Sequence, residues 1–129
     1  MNFLTSESTD ILSAQIVGAA LDVHRALGPG LFESAYETCL FYELHKLGLQ
    51  VERQKVMPVF YRDMMLNCGY RIDLLVSKQI IVEVKAVQML LPVHDAQLRS
   101  YLKLSGCRVG LLMNFNVRTL KEGLRRVIE

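Results

Sequence analysis

Two short apolar runs stand three residues apart near the middle of the chain, and charge interrupts each of them: Arg71-Ile72-Asp73-Leu74-Leu75-Val76, then Ser77-Lys78-Gln79, then Ile80-Ile81-Val82-Glu83-Val84-Lys85. Branched segments of this length joined by about three polar residues predict a β-hairpin. Side chains alternate along a strand, so Glu83 and Lys85 share one face. With a three-residue turn, position 73 lies opposite position 83, and the two carboxylates come within reach of one another. Such anions repel unless a cation neutralises them. A divalent metal held by Asp73 and Glu83 answers that repulsion, with Lys85 stabilising charge on a phosphate or positioning an attacking water. The competing reading is a Lys-Glu pair on a solvated sheet face. Against it, the surrounding Ile, Leu and Val argue for a sheet covered on both sides, where unpaired charge is costly.

The flanking sequence supplies those covers. Leu12, Ile16, Ala20, Val23 and Leu27 recur every three or four positions and predict a helix over 9–27, ended by Gly28-Pro29-Gly30. Phe32, Tyr36, Leu40, Leu44 and Leu47 predict a second helix over 31–47, which Gly48 terminates. Residues 51–61 and 64–66 read as strands about an Arg62-Asp63 turn, with Pro58 marking an edge or a bulge. Beyond Pro92 a helix is expected over about 94–105. Residues 109–115 are almost wholly apolar and read as a central strand buried on both faces. Leu120, Leu124, Val127 and Ile128 then predict a last helix from about Thr119. The order α-α-β-β-β-α-β-α describes a layered α/β fold, a mixed β-sheet flanked by helices on both faces. A chain of 129 residues, 51% of them hydrophobic, suits one domain spanning 1–129.

A net charge of +2 argues against non-specific coating of nucleic acid while leaving room for a local basic patch. Cys39, Cys68 and Cys107 are far apart with no Cys-x-x-Cys spacing, which favours reduced, buried thiols over a zinc or redox role. No apolar run approaches a membrane span and no leader pattern opens the chain, so a cytoplasmic location without membrane association is expected. His24 and His45 read as exposed helical residues, and His94 as a helix-start or loop residue.

Asp73, a spacer across a hairpin, then Glu83-Val84-Lys85, a helix and an apolar strand resemble the Asp...Glu-x-Lys core of the PD-(D/E)XK nuclease-like superfamily, whose common core is αβββαβ. Gln97-Leu98-Arg99-Ser100-Tyr101 resembles the Gln-x-x-x-Tyr motif of its RecB-like and lambda-exonuclease-like branches, and a spacing of four puts Gln97 and Tyr101 on one helical face. Upstream, Gly30-Leu31-Phe32-Glu33-Ser34-Ala35-Tyr36 matches the motif that names the GxxExxY protein family, a small group within that superfamily. Ile72 stands where many members have proline before the aspartate. The resemblance implies a restriction-endonuclease-like core with an extra N-terminal and a C-terminal helix. It also implies a glutamate on the first core helix joining the metal site, which carries onto Glu33, with Glu37 one turn later as the competitor.

The function expected is that of a Mg²⁺- or Mn²⁺-dependent nuclease, or a nuclease-like protein, acting on nucleic acid, DNA ahead of RNA. Glu33, Asp73 and Glu83 bind metal, Lys85 stabilises developing charge, and Gln97 and Tyr101 orient the nucleic-acid backbone or the site. Arg99, Lys103, Arg108, Arg118, Lys121 and Arg125 are candidates for phosphate contacts, although scattered surface charge explains any one of them. The alternative is a non-catalytic nucleic-acid-binding or regulatory module that keeps the fold and works in a homodimer or larger complex. A metal-free structural domain is the third reading, disfavoured by the acidic set.

Overall fold

In a computed structural model, which describes residues 6–67 and 69–129, two helices lead into the sheet. The first, α1, spans Glu7–Leu27; Ser6 caps it by accepting from the backbone N–H of Thr9, and Gly28 ends it at φ 67°. The second, α2, spans Glu33–Lys46. Strands β1 (Val51–Val56), β2 (Val59–Tyr61), β3 (Met64–Leu66), β4 (Arg71–Val76) and β5 (Ile80–Lys85) follow, then helix α3 (Pro92–Ser105), strand β6 (Val109–Asn114), a single 3₁₀ turn over Leu120–Gly123 and strand β7 (Leu124–Ile128). Five strands form one sheet in the order β1-β4-β5-β6-β7, in which β5 and β6 are parallel and the other pairs antiparallel; β2 and β3 make a separate hairpin. None of the described helices is long and apolar enough to cross a membrane.

The sheet separates two cores. Leu12, Ile16, Ala20, Tyr36, Leu40 and Leu44 of α1 and α2 pack on one face against Leu74, Val76, Ile80, Val82 and Val84. Leu98, Tyr101 and Leu102 of α3 pack on the other against Leu75, Ile81 and Leu112. The two clusters follow the two-residue alternation of β5, whose even-numbered residues face α1 and α2 and whose odd-numbered residues face α3.

The expected C-terminal helix does not form. Its place is taken by the 3₁₀ turn and β7, which pairs with β6 from Val109 opposite Ile128 to Met113 opposite Leu124. The physical reason lies in β6, where every residue is buried. A strand with both faces and both edges withdrawn from water needs a hydrogen-bonded neighbour on each side, and β5 supplies only one. The chain reverses onto β6 through Gly123, where an added Cβ would stand 2.2 Å from the carbonyl oxygen of Asn114. The expected 51–61 strand also divides, at Met57-Pro58, into β1 and β2. His24 is buried, not exposed: its ring lies 2.8 Å from the carbonyl of Val117 by way of Nε2 and tilts against Phe115. His45 is exposed and stacks on Phe41, and His94 accepts from the backbone N–H of Leu91 at the start of α3. Cys39 and Cys107 are free and half-buried; Cys68 lies outside the described residues.

Candidate active site

The β4–β5 hairpin closes through Ser77, Lys78 and Gln79, with Val76 opposite Ile80, Leu75 opposite Ile81 and Leu74 opposite Val82. Ser77 and Lys78 both take positive φ, 52° and 56°. Beyond Leu74 and Val82 the regular pairing stops, and each carboxylate takes over a backbone donor of the other strand. Glu83 Oε2 accepts from the N–H of Asp73 at 3.0 Å, and Asp73 Oδ2 accepts from the N–H of Val84 at 2.8 Å. Asp73 and Glu83 therefore sit side by side at the point where the two strands part, on the face covered by α3.

Burial and proximity work together on Glu83. Its side chain is withdrawn from water and lies beside the Asp73 carboxylate, so its carboxyl is pushed up to about 9, while the Lys85 ammonium pulls weakly the other way. Below that pH the metal-free Glu83 carboxyl keeps its proton. Lys85 is one pleat further on and half-buried. Across the strands, Asn114 holds the segment after Lys85 in place, accepting from the N–H of Val87 at 3.0 Å and donating to its carbonyl at 2.9 Å.

From α3, Tyr101 approaches the two carboxylates, with Gln97 beside it. Burial raises the Tyr101 hydroxyl, and the neighbouring Glu83 and Asp73 carboxylates raise it further, while the Gln97 side chain beside it pulls the other way. Both residues are one helical turn apart on one side of α3.

Glu33 does not join this group. It is exposed in the first turn of α2. Glu37, one turn on, is buried, and its carboxylate accepts from Arg53 at 3.2 Å and from the Gln54 amide at 2.8 Å. The same Gln54 amide nitrogen reaches Asp73 Oδ1 at 3.3 Å, so one side-chain amide stands between two carboxylates. Gln54 sits in β1 between the pairs Arg53–Leu74 and Lys55–Ile72, opposite Asp73, at φ 50°, a left-handed conformation costly for a residue other than glycine. The sequence singled out neither Gln54 nor this bridge; its only trace is a glutamine in an exposed edge strand. Tyr36, the tyrosine of the Gly-x-x-Glu-x-x-Tyr stretch, is structural. It stacks on Phe115 with ring centroids 4.7 Å apart, donates to the carbonyl of Gly28 at 2.6 Å, and accepts from the N–H of Leu31, pinning the turn between α1 and α2.

Among the described residues, no three His, Cys, Asp or Glu side chains converge into a ready-made metal cage. The directly facing donors are two hard carboxylates, which suits an ion such as Mg²⁺, commonly held by one or two carboxylates with water and substrate phosphate completing its shell. Two adjacent carboxylates, one of them buried, call for positive charge between them, so the donor set fits. The basic side chains are more committed: Arg99 and Lys103 pair with Glu129, Arg125 with Asp95, and Arg118 with Glu122.

A mixed sheet with an Asp...Glu-x-Lys set at a parting hairpin, and a helix carrying Gln and Tyr over it, defines the nuclease-like α/β class. The chain belongs to the PD-(D/E)XK nuclease superfamily, whose family model matches residues 10–127. No curated protein and no solved structure matches it.

Proposed function

We propose that the chain is a divalent-metal-dependent nuclease that hydrolyses phosphodiester bonds, DNA ahead of RNA, and that it belongs to the GxxExxY group on the strength of Gly30, Glu33 and Tyr36. The observation that carries the reading is the reciprocal Asp73–Glu83 pair where β4 and β5 part, Glu83 buried and Asp73 half-buried, with the Lys85 amine beside it. A bound Mg²⁺ or Mn²⁺ ion supplies Lewis-acid charge at a phosphate oxygen. Asp73 and Glu83 hold it, and Glu83 gives up its proton to do so. Glu37, in place of Glu33, acts as the third carboxylate, fixing Asp73 through Gln54. Lys85 stabilises negative charge developing on the phosphate and orients the attacking water. Tyr101 keeps its proton and, with Gln97, donates to the nucleic-acid backbone.

The test is incubation of labelled single- and double-stranded DNA and RNA with and without Mg²⁺ or Mn²⁺, beside a Lys85→Ala variant. Metal-dependent cleavage lost in the variant is the expected result. Metal-independent binding without cleavage would transfer the chain to the class of nucleic-acid-binding modules.

A further inference from the structure

Helix α3 has a second stripe besides the one it buries. Val93, Ala96, Gln97, Ser100, Tyr101 and Leu104 recur at helical spacing along one side and form a wall of a cavity of about 570 Å³. Val59 and Tyr70 line it as well. Three of these apolar or aromatic side chains are left open to solvent: Val93 is 63% exposed, Tyr70 46% and Leu104 42%. A cavity of this size is in the range of small-molecule and cofactor sites, wide enough for a flat heteroaromatic ring and its sugar. Tyr101 lines this cavity and also feels the Glu83 and Asp73 carboxylates, so a chain whose phosphate lies at Asp73 and Glu83 has its neighbouring nucleotide beside the opening. Tyr70, its ring open to solvent, offers surface for stacking; the Gln97 amide and Ser100 hydroxyl offer groups to a base edge, and Lys103 lines the cavity toward solvent, 71% exposed. A base paired and stacked in a duplex presents no free face, so only an unpaired base can enter.

We propose that this cavity is a nucleobase subsite taking one unstacked base of a single-stranded nucleic acid next to the phosphate held at the carboxylates, which makes single strands and frayed ends the substrate class. The inference rests on the phosphodiester reading of Asp73 and Glu83, and binding and cleavage are measured separately so that the two can fail separately. The probes are a fluorescein-labelled single-stranded DNA 12-mer, the same strand in duplex, and an abasic 12-mer of equal charge. Their affinities are read by anisotropy in Ca²⁺, and their cleavage in Mg²⁺ and Mn²⁺. The single strand is expected to bind at least about tenfold more tightly than the abasic strand and the duplex, in line with the strength of base–aromatic stacking. Tyr70→Ala and Leu104→Glu, both at exposed positions, should each abolish most of that preference, and Tyr70→Phe should retain it. Equal affinity for the single and abasic strands, or a preference untouched by both variants, overturns the subsite even where metal-dependent cleavage is seen. A base-dependent preference lost in the variants upholds the subsite even where no strand is cut, and in that outcome it is the nuclease reading that fails.

Discussion

The two faces of the five-stranded sheet are built to different ends. On the face covered by α1 and α2, apolar side chains meet apolar side chains, and the polar groups of Tyr36 and His24 are spent on backbone carbonyls. On the other face a single helix, α3, covers a smaller core, with Glu83 buried and Asp73 and Lys85 half-buried where β4 and β5 part. The first face has its favourable contacts satisfied. The second keeps a buried carboxyl that is comfortable only with a proton or a cation. On the proposed reading, stability and chemistry are divided between opposite sides of one sheet, and substitutions should separate them.

The largest effect is expected from Asp73→Asn, which keeps shape and removes charge. Cleavage in Mg²⁺ should fall by about 10³-fold or more, while circular dichroism and the melting curve stay close to those of the parent. A matching loss of fold would make Asp73 a structural residue and erase the division. On the opposite face, Tyr36→Ala removes a fully buried ring stacked on Phe115 and should cost about 3 to 5 kcal/mol in denaturant titration. Whatever folded Tyr36→Ala protein remains should cleave at a near-parental rate.

The pH dependence of the metal-free protein sharpens the contrast. Because the folded Glu83 carboxyl is raised from about 4.5 to about 9, the folded state binds the extra proton. The stability contributed by this group is therefore fully present below about pH 4.5 and is lost as pH rises through about 9. Glu83→Gln, which cannot ionise, should remove that slope and melt higher than the parent at pH 8 without metal. Melts at pH 6 and pH 8 decide it; a Glu83→Gln protein that melts lower at both would identify Glu83 as a partner in a stabilising ion pair. Smallest is the comparison of two glutamates on α2. Glu37→Ala should lower metal affinity or activity by roughly tenfold to a hundredfold through loss of the Gln54 bridge, and Glu33→Ala should leave both unchanged. The reverse ranking in an Mg²⁺ titration would restore Glu33 to the site.

Much of this arrangement was legible from local pattern. The three-residue turn fixed which residues of the hairpin stand opposite each other, and with them the meeting of positions 73 and 83, because register and alternation leave no freedom once the turn length is set. Contacts between elements distant in sequence were less readable. Nothing local to α2 decides whether Glu33 or Glu37 reaches the sheet; that depends on how the helix rolls when Tyr36 and Leu40 are buried, and the roll leaves Glu33 in solvent. Gln54 was hidden because its importance comes from an unusual backbone angle and from the residue across the strand. The C-terminal segment was misread because Leu120, Leu124, Val127 and Ile128 fit a helical spacing. The decisive constraint lay elsewhere, in the open edge of β6 that only another strand could occupy.

The tight loop formed by Ser77, Lys78 and Gln79 measures out the site from a distance. Since successive side chains on a strand point to opposite sides, one residue added to or removed from that loop would carry Glu83 and Lys85 through to the α1–α2 side and bring Val82 and Val84 round in their stead. The loop is not itself one of the carboxylate-site residues, yet its length is as binding as the identity of either carboxylate. Changes in chain length over the life of such a protein should therefore gather at connections with no such bookkeeping attached, such as the Arg62-Asp63 bend of the separate β2–β3 hairpin, and spare the loop between β4 and β5.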